Sequence, residues 1–189
     1  MVIQGVDSDS IVYLNGEYVR ADEAKISVFD RGFIFGDGVY EVVPAYHRKA
    51  FRLDEHVRRL ERSLNAIDLA TGKDASFWAG LMQDMIARAK TDDAFIYLQV
   101  TRGVAKREHI FPSPPVAPTI FCSSGPFIRP TAEQRERGIR VISGPDERWL
   151  HCDIKSVSLL GNVLARQAAA ERGVDEVIQF RDDVLTEGS

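Results

Sequence analysis

Arg148-Trp149-Leu150-His151-Cys152-Asp153-Ile154-Lys155, followed by the run Ser158 to Arg172, is the stretch on which the reading of this chain turns. Apolar residues recur at helical spacing on one side of the run, which predicts a helix with Lys155 at its mouth. A lysine there is either a snorkelling surface residue or an amine drawn partly out of water. Only the second kind forms a Schiff base readily. The stretch alone leaves both readings open.

Working outward, the bulk composition narrows the class. The 189 residues are 44% apolar and 28% charged, the balance of a globular protein with one large or two small domains. A net charge of -4 gives no reason to expect nucleic acid or an anionic membrane as partner. Two cysteines, Cys122 and Cys152, lie far apart without repeat spacing, so a disulfide framework is not expected and a cytoplasmic, reducing compartment is. No run has transmembrane length. Met1 to Ser10 is polar and acidic and does not read as a secretory signal.

Along the chain, Asn15-Gly16 between β-prone runs predicts a hairpin over 11–20. Val39 to Val43 reads as a strand, with a second hairpin turning near His47-Arg48-Lys49 and returning through 51–53. Asp54 reads as the N-cap of a helix to about Ile67, with Val57, Leu60, Leu64 and Ile67 on one face. Residues 75–90 predict another helix, and 94–100 and 119–122 predict strands around an irregular, proline-rich segment. Small and turn-forming residues mark a linker at about 125–130, between an N-terminal α/β domain (1–124) and a second domain (131–189). In the second domain we expect a short helix from Thr131, a strand at 139–143, the lysine segment and its helix, Gly173 as the residue that ends that helix, and strands at 176–180 and from Val184. A second domain with so few elements is poorly closed, and the expectation is that the chain is the front two-thirds of a longer polypeptide.

Single motifs carry little. Gly32-Phe33-Ile34-Phe35-Gly36-Asp37-Gly38 has the wrong glycine spacing for a dinucleotide loop and precedes a strand, so a tight turn is the plainer reading. Arg107-x-His109 could hold a carboxylate through a guanidinium fork and an imidazole, or could be a solvated loop. Arg59 lies in a basic helical run, and Glu187 at a strand end; both read as exposed charges. His47, His56, His109 and His151 lack metal-ligand spacing, and adjacent His151 and Cys152 argue against a zinc site or a Cys-His pair, so no metal is expected.

The ordered set is more specific than its parts. Asp30-Arg31-Gly32, Phe35-Gly36-Asp37-Gly38-Val39-Tyr40-Glu41-Val42, Val100-Thr101-Arg102-Gly103, Arg107-x-His109, Arg148-Trp149-Leu150-x-Cys152-Asp153-Ile154-Lys155-Ser156, Leu159-Leu160-Gly161 and Thr186-Glu187-Gly188-Ser189 follow one another. From residue 11 onward the chain resembles the fold-type IV pyridoxal-phosphate enzymes, and among them the D-amino-acid aminotransferases.

The resemblance implies two α/β domains with pyridoxal 5'-phosphate in the cleft between them, the second domain here being truncated. It implies that Lys155 carries the cofactor and moves the substrate proton, that Glu187 faces the pyridine nitrogen, and that Arg59 contacts the phosphate. Arg148 matches an arginine near the cofactor. Tyr40, Arg107 and His109 match the group that holds the substrate α-carboxylate, with the Arg and His reaching in from the partner subunit of a homodimer. The implied reaction moves an amino group between a D-amino acid and a 2-oxo acid. The rest of the phosphate site lies in the family beyond Thr186-Glu187-Gly188-Ser189, so the 189 residues alone are expected to bind cofactor poorly. Rival readings are a branched-chain L-amino-acid aminotransferase, an R-selective amine transaminase or an aminodeoxychorismate lyase of the same fold. Outside enzymes, the rival is a silent binding or dimerisation module.

Overall fold

In a computed structural model of the chain, residues 9–189 are described. The reading of the first ten residues as free of a secretory signal falls mostly on residues 1–8, outside the described range. The chain divides into two compact units: 1–128 with 153–158, and 129–152 with 159–189.

The first unit is a six-stranded antiparallel sheet with two helices on one face. The strands are β1 (Ile11–Leu14), β2 (Glu17–Arg20), β3 (Gly38–Tyr46), β4 (Lys49–Ala50), β5 (Ala94–Thr101) and β6 (Thr119–Pro126), ordered β2-β1-β6-β5-β3-β4. Asn15 (φ 52) and Gly16 (φ 108) make the expected left-handed hairpin turn. The second hairpin turns at His47 (φ 50) and Arg48 (φ 60), residues that pay a steric penalty there. Asp93 Oδ1 accepts from His47 N at 2.9 Å and Asp92 O from Arg48 N at 2.8 Å, which holds the turn.

Alternation decides which face is buried. Val39, Val43 and Ala45 of β3 and Ile96, Leu98 and Val100 of β5 point to one side and are fully buried. They meet Val57, Leu60 and Leu64 of α2 (Leu53–Ala66) and Trp78, Met82 and Met85 of α3 (Ala75–Arg88). Both helices carry their apolar residues at three-four spacing, so one stripe of each covers the sheet. A short helix, α1 (Arg31–Phe35), precedes β3; the Asp30 side chain caps it by accepting from Gly32 N.

Three expectations shift. Asp54 is not the N-cap: helix α2 begins at Leu53 after left-handed Arg52 (φ 51), and β4 ends at Ala50. Asp54 and Glu55 sit in the first turn, where carboxylates favour the N-terminal end of the helix dipole. Residues 123–126, expected outside the strand, belong to β6, because Ser123 to Pro126 pair with Tyr97 to Ala94. That pairing takes in 125–126 of the expected linker. Gly125 is small for a packing reason: a Cβ there would lie 2.5 Å from the Phe95 ring.

The second unit contains α4 (Ala132–Arg137), β7 (Val141–Pro145), α5 (Leu160–Glu171), β8 (Glu176–Arg181) and β9 (Val184–Gly188). Thr131 and Gln134 form a capping box at the start of α4. β7 and β8 pair in parallel with α5 in the connection between them, and β9 pairs antiparallel to β8 through a turn at Asp182-Asp183. Gly173 (φ +64) follows the end of α5, as expected. The helix begins at Leu160, so Lys155 is not at its mouth but in an extended segment five residues earlier. Among the described residues no helix is long and apolar enough to cross a membrane.

Candidate active site

Lys155 is seated by backbone pairing along β3. Tyr40 N donates to Lys155 O at 2.9 Å, Val157 N donates to Gly38 O at 3.1 Å, and Val39 and Ser156 form an antiparallel bridge. Lys155 N also donates to Ser63 Oγ on α2 at 3.3 Å. Gly36 makes room for this segment, and Gly38 for the neighbouring strand β5. A Cβ on Gly36 would lie 2.4 Å from Ser158 Oγ, and one on Gly38 would lie 2.6 Å from Val100 O. The half-buried amine of Lys155 ends 4.1 Å from the centre of the Tyr40 ring. The Tyr40 ring in turn stacks on Tyr97 at 5.7 Å. Burial pushes the Tyr97 hydroxyl up to about 12, with Tyr40 adding to the shift. The amine is thus seated against aromatic surface.

Glu41, the next residue on β3, points to the buried face and is 0% exposed. Its carboxylate accepts from Arg59 Nε at 2.7 Å and from Arg59 Nη2, and lies 3.1 Å from His56 Nδ1. Burial pushes the Glu41 carboxyl up. Hydrogen bonds from Arg59, the Val42 N–H and His56, together with the Arg59 charge, outweigh it, and the net displacement is downward. Arg59 is therefore a fixed guanidinium, 40% exposed, whose orientation is set by a buried carboxylate.

Arg107 and His109 are exposed and gather around α1. The Arg107 guanidinium carbon lies 5.5 Å from the Phe35 ring centre, and the His109 and Phe35 rings are 5.3 Å apart. Among the described residues no hydrogen bond or ion pair joins Tyr40 to Arg107 or His109.

In the second unit Arg148 joins two carboxylates. Asp146, with a side chain 1% exposed, accepts from Arg148 Nε and Nη2, both at 2.9 Å, from Arg148 N at 3.1 Å and from Thr186 Oγ1 at 2.8 Å. Arg148 Nη1 then donates to Glu187, which is 58% exposed. The Arg148 hydrogen bonds hold the Asp146 carboxyl well below the usual carboxylate range and raise the arginine in turn. A groove of ≈ 840 Å³ also opens in this unit, between α5 and the β7-β8 strands. None of Arg148, Lys155 and Glu187 lines it.

These motifs in this order, on this sheet, decide the family. The amino-transferase class IV family matches residues 38–189. The chain belongs to the class IV aminotransferases. It is 43% identical to the D-alanine aminotransferase of Staphylococcus epidermidis over 94% of this chain and 63% of that protein. The Escherichia coli branched-chain amino acid aminotransferase shares the fold, with a TM-score of 0.84 at 22% identity over 95% of this chain and 62% of that one. A hypothetical aminotransferase from Mycobacterium tuberculosis, solved in a PLP-bound form, has a TM-score of 0.78 at 23% identity over 94% of this chain and 64% of that one. At those identities the solved structures speak for the α/β fold of this class IV chain. The chain spans under two-thirds of the length of each protein.

Sequence reasoning gave no role to Glu41, Ser63, Arg31 or Asp146. Glu41 had a signal: a charge at an inward position of an alternating strand needs a buried partner. Ser63 had none, and for Arg31 and Asp146 the contacts with the carbonyls of 108–110 and with Thr186 lie far away in sequence.

Proposed function

We propose that the protein is a pyridoxal-phosphate-dependent transaminase that moves an amino group between a D-amino acid and a 2-oxo acid. The observation that carries this reading is the seat of Lys155: a primary amine on a paired backbone, half-buried, 4.1 Å from the Tyr40 ring. Kinship with D-alanine aminotransferase supports the D-amino acid as substrate class.

The donor set suits a phosphorylated pyridine aldehyde. Lys155 would hold the aldehyde group of the cofactor and would serve as the base that moves the substrate Cα proton. The bound cofactor supplies the sink for the electrons left at Cα. Glu187, tethered by Arg148, would offer its carboxylate to the ring nitrogen. Arg59, with Glu41 fixing its angle, would take the phosphate. Tyr40, together with Arg107 and His109 of a second copy, takes the substrate carboxylate and so sets which face of Cα meets the lysine. Phe29, Phe33, Ile110 and Phe111 stand exposed near Arg107, an apolar surface that suits pairing with a second copy. Likeness to the branched-chain structure carries no substrate assignment at 22% identity.

The test is the absorbance of the cofactor-loaded full-length protein before and after D-alanine or L-valine. Bleaching of the visible band by D-alanine alone is expected. A response to L-valine alone moves the protein to the branched-chain group. No visible band on the loaded protein overturns the role of Lys155.

A further inference from the structure

The side chains of Arg107 and His109 are exposed, yet the backbone that carries them is gripped from beneath by one buried arginine. Arg31, 3% exposed, opens α1. Its Nη1 donates to Glu108 O at 2.6 Å and reaches Ile110 O at 3.4 Å, and its Nη2 reaches His109 O at 3.4 Å. Three consecutive carbonyls thus converge on one guanidinium. The remaining edge of that guanidinium, Nε, donates to Asp37 Oδ2 at 2.7 Å.

Asp37 is shared. Arg102, also buried, donates its Nε to the same carboxylate at 2.9 and 3.1 Å. The Arg102 guanidinium carbon lies 3.6 Å from the ring centre of Phe111. One carboxylate therefore ties together two guanidinium groups that between them hold residues 108–111. Four residues after Arg31, on the same face of the one-turn helix, Phe35 supplies the aromatic surface against which Arg107 and His109 lie. Arg31 itself sits over that ring at 4.9 Å.

We propose that Arg31 and Phe35, with Asp37 as their anchor, are positioning residues that set where Arg107 and His109 present their charges, and hence the binding of the substrate carboxylate. This rests on the reading that Arg107 and His109 take that carboxylate. Arg31 grips backbone, so it fixes the segment whatever its side chains are; Phe35 orients the side chains. A solvated loop of this kind, freed from the clamp, samples many conformations, and a guanidinium held in one of them binds with less entropy lost.

The experiment uses the full-length, cofactor-loaded protein. In Arg31→Gln, amide exchange over residues 107–111 rises about tenfold, and KM for D-alanine rises about tenfold, the loss of one charged hydrogen bond. The rise in KM exceeds the fall in kcat. Arg31→Lys, which keeps the charge but not the fork, lies between. Phe35→Leu leaves the Asp37 pair intact and tests the same idea if Arg31→Gln fails to fold: KM rises about threefold, and Phe35→Tyr restores it. Unchanged exchange in Arg31→Gln, or kcat and KM unmoved in Phe35→Leu, overturns the clamp. The control is Arg107→Leu. If its KM does not move, the carboxylate reading falls and the functional half of the proposal with it, while the exchange result reports on the clamp alone.

Discussion

Replacing Asp146 by Asn keeps the shape of a side chain that is 1% exposed but removes its charge. Asp146 Oδ1 accepts from Arg148 N and Nε, and an amide oxygen can still do so. Oδ2 accepts from Arg148 Nη2 and Thr186 Oγ1 and lies 3.3 Å from Arg181 Nη2. An amide nitrogen in that place turns donors towards donors. The contacts of Arg148 Nη2 and Arg181 Nη2 with Oδ2 lose their charge assistance, each about 1.5–3 kcal/mol, a sum that overlaps the range of about 3–5 kcal/mol for stripping one partner from a buried ion pair. Arg181 is partly exposed, which favours the lower end, about 3 kcal/mol. That is roughly a hundredfold in the opening equilibrium. Amide protection of Ile142, Val177 and Gln179 in β7 and β8 is therefore expected to fall about a hundredfold at neutral pH.

The same pair has a pH signature. Arg148 holds the folded-state Asp146 carboxyl below its unfolded value, so its stabilisation is complete above about pH 4 and is lost as pH falls towards the folded value. At pH 3 the unfolded carboxyl is mostly protonated while the folded one is still charged. The gap between wild type and Asp146→Asn in urea unfolding should then narrow by about 1 kcal/mol relative to pH 7. A gap under about 1 kcal/mol at pH 7, or an equal gap at both pH values, would refute the reasoning.

Three further outcomes are expected. Lys155→Ala abolishes transamination and the covalent attachment of cofactor, read by loss of the visible band; near-normal turnover would sink the assignment. Glu41→Gln releases Arg59 from its anchor and raises the dissociation constant for pyridoxal phosphate about tenfold, measured by titration of the full-length protein; an unchanged constant would mean that Glu41 does not set the arginine. Leu60→Ala empties a fully buried position between α2 and the sheet and costs about 2–5 kcal/mol in a denaturant melt; a loss below about 1 kcal/mol would mean that the neighbouring side chains close over the cavity.

Local rules explain which elements were legible in advance. Asn15-Gly16 needs only two residues that tolerate positive φ, and Asp74 and Thr131 cap their helices within three residues. The strands and helices of the first unit follow from alternation and three-four spacing, because one face of each must leave water. The misread positions are those where distant chain intervened. Ser123 to Pro126 look like a linker until β5 supplies their backbone partners. The helix expected at Lys155 starts later because residues 155–157 pair along β3 instead.

By itself the order of motifs along the chain determined the family, and it offered Lys155 and the residue types that could serve a phosphate, a ring nitrogen and a carboxylate. Those motifs are contiguous, and chemistry constrains them one by one. Only the tertiary structure decided what holds each of them. Glu41 meets Arg59 across a strand and a helix, Asp146 meets Thr186 of β9, and Arg31 of α1 meets the carbonyls of 108–110 in the loop between β5 and β6. A guanidinium or carboxylate drawn out of water must find its opposite charge or its hydrogen bonds at once. Where the partner lies tens of residues away, folding alone brings the two together.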